Sequence, residues 1–290
     1  MKKIKGNTYV FEGYTNVGIY ITGNGAIMID TGSSQKAAKD ILKNLRERNL
    51  KILAIVNTHS HADHIQGNHL VQEETGCQIY ASKIEAAMIS NPTIEGLYLY
   101  SAYPTKILRR QFFKPRPSDA RDINEHSSEL PLKVITLPGH SLEHIGFLTP
   151  DNVLFCGDAY FSKDILKKYI YPYHMYVRKA LDALHNLKNI RASYYVPSHG
   201  NVTDDPFEDI EYNMDLIGEI TTRILKMLIR PMTRDEVTAS FIQNYDIKIN
   251  EGLYYLTFSF VSSILQYLEA EKMAINYIST DRKSIWSSLK

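Results

Sequence analysis

The chain has 290 residues, of which 44% are hydrophobic and 22% charged, a composition that excludes disorder, collagen-like repeats and low-complexity sequence. Lysine and arginine total 33 while aspartate and glutamate total 32, so the net charge of +1 gives no sign of a nucleic-acid or anionic-membrane partner. Two cysteines are too few for a disulfide framework or a cysteine-rich zinc module. The basic start of the chain is not followed by an apolar run, so we expect no export signal, no membrane anchor and a cytoplasmic protein.

The first third of the chain predicts two paired strands, a helix and a buried strand. Residues 17–21 and 26–29 are apolar runs joined by Thr-Gly-Asn-Gly, which is typical of a β-hairpin. A helix is predicted over 34–48, and the wholly apolar run 52–56 predicts a strand buried on both faces. This strand ends where a cluster of histidines begins.

The middle of the chain predicts further strands with two long aromatic interruptions. Residues 90–130 and 159–173 are rich in aromatic side chains, and such segments between core strands are often lids or substrate loops. The apolar runs predict strands at 134–137, 145–148, 153–156 and 194–196, with a helix at 174–187.

The character of the sequence changes after about residue 206. Periodic patterns predict three helices and a closing hairpin, at 207–229, 233–244, 252–272 and 275–286. Helix, helix, hairpin is the outline of a winged helix. We therefore predict two domains, 1–205 and 206–290.

The strongest chemical signal is the sequence Thr-His-Ser-His-Ala-Asp-His that follows the buried strand. It offers four candidate metal ligands within six residues, at His59, His61, Asp63 and His64. Imidazole and carboxylate ligands suit zinc, and also iron or manganese. Because α/β folds carry their chemistry at the carboxyl ends of strands, this position favours a metal site over a solvated loop.

Three more candidate ligands also follow predicted strands directly. His140 lies in Pro-Gly-His-Ser, Asp158 in Cys-Gly-Asp and His199 in Pro-Ser-His-Gly. Asp30, in Ile-Asp-Thr-Gly, ends the second strand of the first hairpin in the same way.

This ordered set of motifs resembles the metallo-β-lactamase superfamily over about residues 1–205. The resemblance implies an α/β (α+β) fold, a four-layer αββα sandwich with two sheets face to face and helices outside. The region after residue 205 resembles the mostly helical, winged-helix-like extension of some nuclease-like members.

The resemblance also implies two divalent metal ions, with zinc expected and iron or manganese as alternatives. His59, His61 and His140 would form the first site, and Asp63, His64 and His199 the second. Asp158 would bridge the two metals, and Asp30 would orient the ligands. Asp63 would in addition act as a catalytic residue that orients or deprotonates the nucleophile.

The implied reaction is hydrolysis by a hydroxide that bridges the two metals, because paired metals lower the pKa of a shared water. The ligand set is similar to those of glyoxalase II enzymes, lactonases and phosphodiesterases. We predict an ester, thioester or lactone substrate; a phosphodiesterase or ribonuclease is the alternative, and a mono-iron sulfur dioxygenase a further one. The glyoxalase II pattern His-x-Gly-Gly-Asn is altered here to His-Ile-Gln-Gly-Asn, which leaves glutathione binding open.

Basic residues in the first aromatic segment suggest an anionic small-molecule substrate. Residues 106–121 hold six lysines and arginines, among them Arg109 and Arg110, against one aspartate. Tyr160 is a candidate hydrogen-bond donor to the substrate. Residues 231–290 hold six basic and seven acidic residues, so nucleic acid is not favoured and we expect packing, cleft shaping or a homodimer contact from this region.

Overall fold

The computed structural model describes residues 1–112, 115–126, 128 and 130–289, and the side chains of these residues except at 110–112. Within that part of the chain, seven strands form one sheet in sequence order. They are β1 (Lys2–Lys5), β2 (Thr8–Phe11), β3 (Val17–Thr22), β4 (Gly25–Ile29), β5 (Ile52–Val56), β6 (Gln78–Ala81) and β7 (Ala120–Asp122). Strands β1 to β4 are antiparallel, whereas β4 to β7 pair in parallel.

A second sheet of the described residues has four strands in the order β11-β10-β9-β8. They are β8 (Lys133–Thr136), β9 (Ile145–Leu148), β10 (Val153–Gly157) and β11 (Tyr194–Pro197). Strands β8, β9 and β10 are antiparallel, and β11 joins β10 in parallel after a helical crossover.

The helices that connect the strands before residue 206 are mostly short. They are α1 (Gln35–Glu47), α2 (Ala62–Ile65), α3 (Asn68–Thr75), α4 (Lys83–Ser90), α5 (Thr93–Tyr100), α6 (Lys106–Phe112), α7 (Lys163–Tyr169) and α8 (Val177–Leu187). Helix α1 shows why such segments fold: the Ser34 hydroxyl accepts a hydrogen bond from the Ala37 amide, which caps the helix. Ile41 and Leu45 then lie on one buried face at helical spacing.

Strand alternation explains the layered packing. Ile27 and Ile29 face the second sheet, where Phe147 and Phe155 meet them in a buried cluster between the sheets. Met28, on the opposite face of β4, packs in a separate cluster with helices α1 and α3. Because successive strand residues point to opposite faces, one apolar strand serves both layers. The predicted αββα sandwich is confirmed.

The chain after residue 206 consists of three helices and a hairpin in the predicted order. They are α9 (Phe207–Met227), α10 (Arg234–Asn244), α11 (Glu251–Ala270), β12 (Ala274–Ile278) and β13 (Ser284–Ser288). Leu154 and Cys156 on the outer face of the second sheet share one buried cluster with Phe260 and Ile264 of α11. The C-terminal helices therefore complete the outer layer of the sandwich. The division at residues 205 and 206, and the winged helix itself, stay predictions.

The two aromatic segments contain more regular structure than the sequence indicated. Helices α5 and α6 and strand β7 occupy much of 90–130, and α7 lies within 159–173. Their apolar residues are spaced irregularly over seven or eight residues, which is too short for periodicity to identify them. Strands β1, β2 and β6 were also not predicted.

No helix among the described residues has both the length and the apolar character needed to cross a membrane.

Candidate metal centre

The candidate ligands lie on loops at one end of the two sheets. Strand β5 ends at Val56, and the loop that follows carries His59 before His61 begins helix α2. His140 lies between β8 and β9, Asp158 directly follows β10, and His199 follows β11. Carboxyl ends of strands from both sheets thus meet at this edge, as expected for an α/β site.

Two glycines allow the ligand loops to pack closely. Gly139 has a φ of 131°, and a Cβ there would lie 2.3 Å from the backbone nitrogen of Ala180 in α8. Gly157 has a φ of 58°, and a Cβ there would lie 2.3 Å from Nε2 of His144. Since other residues strain at such φ values and would collide here, glycine is required before both His140 and Asp158.

His59, His61 and His140 form the first of the candidate ligand groups. Nδ1 of His61 lies 3.1 Å from Nε2 of His59 and 2.8 Å from Nε2 of His140. The three rings meet nearly at right angles, with centroids 4.6 to 4.8 Å apart. One nitrogen of each ring therefore points to a common place.

Asp63, His64 and His199 form a second group on the other side of His59. Oδ2 of Asp63 lies 3.2 Å from Nε2 of His199 and 3.9 Å from Nε2 of His64. The ligand atoms of each group all lie within 4.8 Å of one another.

Asp158 lies between the two groups. Its Oδ2 is 3.4 Å from Nε2 of His140 and 3.4 Å from Nε2 of His199, while its Oδ1 is 3.4 Å from Nε2 of His64. A single carboxylate thus faces one histidine of the first group and two of the second.

Hydrogen bonds to the opposite ring nitrogens fix how these histidines face the site. Nδ1 of His140 donates to the Tyr173 carbonyl, and Nδ1 of His199 donates to the Tyr14 carbonyl, both at 2.8 Å. Because a neutral imidazole carries one hydrogen, Nε2 of the neutral His140 ring then holds a lone pair directed into the site, and Nε2 of His199 faces the same site. Such partners orient metal ligands in proteins.

Asp30 orients the remaining histidines. Its Oδ2 accepts a hydrogen bond from Nδ1 of His64 at 2.9 Å and from the Thr58 hydroxyl at 2.8 Å. Since the Thr58 hydrogen is used by Asp30, Nδ1 of His59 donates to the Thr58 oxygen at 3.0 Å. Asp30 thereby sets the ring of His64 directly and that of His59 through Thr58.

The site concentrates opposite charges in a buried place. Burial opposes a charge on His199, but the carboxylates of Asp158 and Asp63 outweigh it and raise the pKa of His199 to about 10. Burial likewise opposes ionisation of Asp158, but three histidines, His199 first, hold its pKa well below the usual range. Burial lowers the pKa of both His59 and His140, which keeps these rings neutral.

The donor set fits divalent cations. Nε2 of His64 and Oδ1 of Asp158 are buried and have no hydrogen-bond partner among the described residues. The Nε2 lone pairs of His59 and His140 also point to the same atom, Nδ1 of His61. A single hydrogen on that atom cannot make good hydrogen bonds to both lone pairs. Buried polar atoms without a good hydrogen-bond partner destabilise a folded protein unless a ligand pairs with them. Imidazole and carboxylate donors suit zinc, iron or manganese.

Two of the three substrate-binding candidates, Tyr160 and Arg109, have described side chains, and both make their contacts away from this donor set. Tyr160 is completely buried in the cluster that joins the second sheet to the C-terminal helices, so a substrate would reach its hydroxyl only if that core opened. Arg109 lies on α6 with its guanidinium over the ring of Tyr103, at 5.4 Å from the ring centroid. The side chain of Arg110 lies outside the described residues.

Several residues that organise the site were not predicted from the sequence to have this role. Glu85, on α4, is fully buried and accepts hydrogen bonds from both loops of the first group. The Tyr173 ring lies 5.9 Å from that of His61, and the Tyr14 ring lies 5.2 Å from that of His199. A glutamate among the apolar residues of 84–89 was the available signal for Glu85, whereas nothing local distinguishes two of twenty tyrosines.

Comparison with known proteins places this geometry in a family. The family model for the metallo-beta-lactamase superfamily matches residues 10–199. A hydroxyacylglutathione hydrolase of Vibrio vulnificus is 29% identical over 245 residues, which are 77% of this chain and 81% of that protein. One of Synechococcus sp. is 28% identical over 127 residues, 43% of this chain and 41% of that protein. The chain spans about half the length of several of the curated relatives that it matches.

A crystal structure supports the fold along nearly the whole chain. A metallo-beta-lactamase family protein from Thermus thermophilus has a TM-score of 0.71 at 18% identity, with 98% of this chain and 99% of that chain covered. At this identity the likeness concerns the fold alone, and it includes the C-terminal helices. Since the family model covers more than half of the sequence, the chain belongs to the metallo-beta-lactamase superfamily.

Proposed function

We propose that the protein is a hydrolase that uses two divalent metal ions, zinc foremost, with iron or manganese as alternatives. The observation that carries this proposal is the position of Asp158 between two groups of ligands, close to His140 on one side and to His64 and His199 on the other. When bound, paired metals lower the pKa of a shared water and polarise the bond under attack. The first ion would be held by His59, His61 and His140, and the second by Asp63, His64 and His199.

We propose that Asp63 orients the attacking water and accepts its proton. Its side chain is about one-third exposed, unlike that of Asp158, so it faces both the buried ligands and the solvent. Its Oδ2 is held by Nε2 of His199 at 3.2 Å and by the Thr15 hydroxyl at 3.4 Å. A carboxylate fixed in this way through Oδ2 can accept a hydrogen bond from a water, and then its proton, at the other oxygen, Oδ1.

We propose an ester, thioester or lactone as the substrate. Relatives that match this chain are named hydroxyacylglutathione hydrolase, which favours a thioester. A cavity of about 470 Å³ between α5, α10 and α11 is lined by Tyr98, Phe258 and Arg234. Its arginine and aromatic side chains suit an anionic substrate with an apolar part, in keeping with the size of small-molecule sites.

The test compares initial rates of one zinc-loaded preparation on thioesters, lactones and the phosphodiester bis-p-nitrophenyl phosphate. We expect a thioester or lactone to give the dominant rate, and chelator-treated protein to lose it. A dominant phosphodiester rate would replace the proposed substrate by the phosphodiesterase or ribonuclease alternative. If no substrate is hydrolysed, and the protein binds one iron and consumes oxygen, the dioxygenase alternative is favoured instead.

A further inference from the structure

Helix α11 is joined by three hydroxyl groups to the segment that precedes α8. The Tyr171 hydroxyl pairs with Thr257 at 2.8 Å, and the Tyr173 hydroxyl pairs with Ser259 at 3.1 Å. The backbone amide of Val177 donates to the Ser263 hydroxyl at 3.0 Å. All three pairs are separated by 86 residues, so the segment 171–177 follows the helix in constant register. We call these contacts the hydroxyl ladder.

The ladder has a defined direction at its buried end. The Thr257 hydroxyl donates to the Leu253 carbonyl at 2.7 Å, so Tyr171 is the donor in its pair. The Tyr171 ring also stacks on Phe260 with centroids 4.6 Å apart. Thr257 is completely buried and Ser263 is 5% exposed. Buried hydrogen bonds of this kind are costly to break, because the partner left behind has no water to bond.

The segment held by the ladder carries the partners of the His140 loop. The Tyr173 carbonyl accepts the hydrogen bond from Nδ1 of His140 at 2.8 Å. The Tyr176 amide donates to the Gly139 carbonyl at 2.9 Å, and the Met175 amide donates to the His140 carbonyl at 3.3 Å. Tyr173 therefore connects α11 to the ring of His140: its hydroxyl is hydrogen-bonded to Ser259, and its carbonyl is hydrogen-bonded to His140.

We propose that the C-terminal region positions the first ligand group, and that the hydroxyl ladder is the device by which α11 does so. Thr257, Ser259 and Ser263 fix the segment 171–177, and its Tyr173 carbonyl fixes the orientation and the protonated nitrogen of His140. They are positioning residues, since they act through His140 and do not reach the site themselves. This proposal rests on the proposed metal-dependent function, but it assigns the C-terminal region a role that requires neither nucleic acid nor a second subunit.

The test uses Ser259→Ala, which removes the contact with Tyr173 alone, and Tyr173→Phe, which removes this contact together with the hydrogen bond between the Tyr173 and Tyr98 hydroxyls. Ser262→Ala is the matched control for metal binding, because Ser262 lies on the same helix and its hydroxyl donates to the Phe258 carbonyl and accepts from Arg234 instead. Zinc is titrated against a competing chelator, which resolves the two binding steps. We expect about tenfold weaker zinc binding in one step only, as for other residues that orient metal ligands. The double variant should be no weaker than Tyr173→Phe alone, because that change already removes the contact with Ser259.

A second readout does not depend on metal or on activity. In the metal-free protein, nitrogen NMR of the His140 ring reports which nitrogen carries the hydrogen. We expect Nδ1 to be protonated in the wild type and in Ser262→Ala, and a mixture of both forms in Ser259→Ala and Tyr173→Phe. Both zinc steps and the ring unchanged in these variants would overturn the ladder proposal. A wild type with the expected ring and two zinc steps but no hydrolysis would instead refute only the proposed function.

Discussion

Glu85 and Ser60 are joined by two hydrogen bonds at a fully buried carboxylate. Oε2 of Glu85 accepts from the Ser60 hydroxyl at 2.6 Å and from the Ser60 amide at 3.0 Å. The other oxygen, Oε1, accepts from the Ser141 hydroxyl at 2.7 Å and from the Glu143 amide at 3.2 Å. Each oxygen thus holds one loop of the first ligand group, the loop of His59 and His61 or the loop of His140.

This division predicts that Glu85→Gln destabilises the protein and weakens metal binding. An amide keeps one oxygen only, so a backbone amide of one loop loses its buried acceptor at a cost of about 1–3 kcal/mol. We expect the free energy of unfolding to fall by that amount in urea titrations, and zinc affinity to fall about tenfold. Glu47→Gln, on the exposed end of α1, is the control. Wild-type stability in Glu85→Gln would contradict the bridging role.

Removal of single ligands should separate the two proposed metal sites. His59→Ala is expected to lose about one equivalent of bound zinc, because it breaks the first ligand group and leaves Asp63, His64 and His199 of the second intact. Asp158→Ala is expected to weaken both, since this carboxylate faces both groups. Metal content by mass spectrometry checks the stoichiometry, and hydrolysis should fall at least about 100-fold in each variant. His185→Ala, on the surface of α8, should change neither; full zinc and full activity in both ligand variants would reject the assignment.

Asp30→Asn tests how the second group is oriented. Asp30 has a φ of 59°, a conformation that asparagine also tolerates, so the exchange acts on the side chain rather than the backbone. The amide offers one acceptor where Asp30 uses two oxygens for Thr58 and His64. We expect zinc affinity to fall about 10- to 100-fold, as for other carboxylates that orient histidine ligands. Asp40→Asn on α1 serves as the control, and equal affinity in both variants would remove Asp30 from this role.

The raised pKa of Glu95 predicts that the free energy of unfolding of the metal-free protein falls as the pH rises. Burial, reinforced by the carboxylates of Asp63 and Glu85 and opposed by His64, raises the pKa of Glu95 to about 8. The folded protein therefore holds a proton that the unfolded chain releases above its ordinary pKa of 4.5. Stability from this group is present below pH 4.5 and is lost as the pH rises towards 8.

The glutamine variant isolates this contribution from other titrating groups. Glu95→Gln stays neutral, so its advantage over wild type should grow between pH 5 and pH 8 to about 2–4 kcal/mol. Urea unfolding of chelator-treated protein at a series of pH values measures the difference. A gap that is constant with pH would show that Glu95 ionises normally. Glu47→Gln should show such a constant gap.

Several helices and strands of this protein are specified by residues that are neighbours in the sequence. The turn between β3 and β4, the capped helix α1 and the apolar strand β5 each follow from neighbouring residues, and their predicted positions agree with the structure to within two residues. The candidate ligands were recognisable because their residue types are rare at strand ends and recur in a fixed order. The structure brings all seven of them together with Asp30, and their role as metal ligands stays a proposal.

The remaining features depend on contacts between distant parts of the chain. Glu85 reaches Ser141 across 56 residues, and Tyr173 reaches Ser259 across 86, so no local pattern reveals either pair. Tyr160 shows the same dependence: it lies two residues after Asp158 and beyond the end of β10, and it is buried because it packs in the core cluster with Leu154 and Cys156. The sequence by itself determined many of the strands and helices and the candidate ligands, since apolar periodicity and ligand chemistry are local; the layers of the sandwich followed from the resemblance of the motifs to the family. Only the tertiary structure decided which side chains hold those ligands in place, because burial and hydrogen bonding are properties of the packed chain.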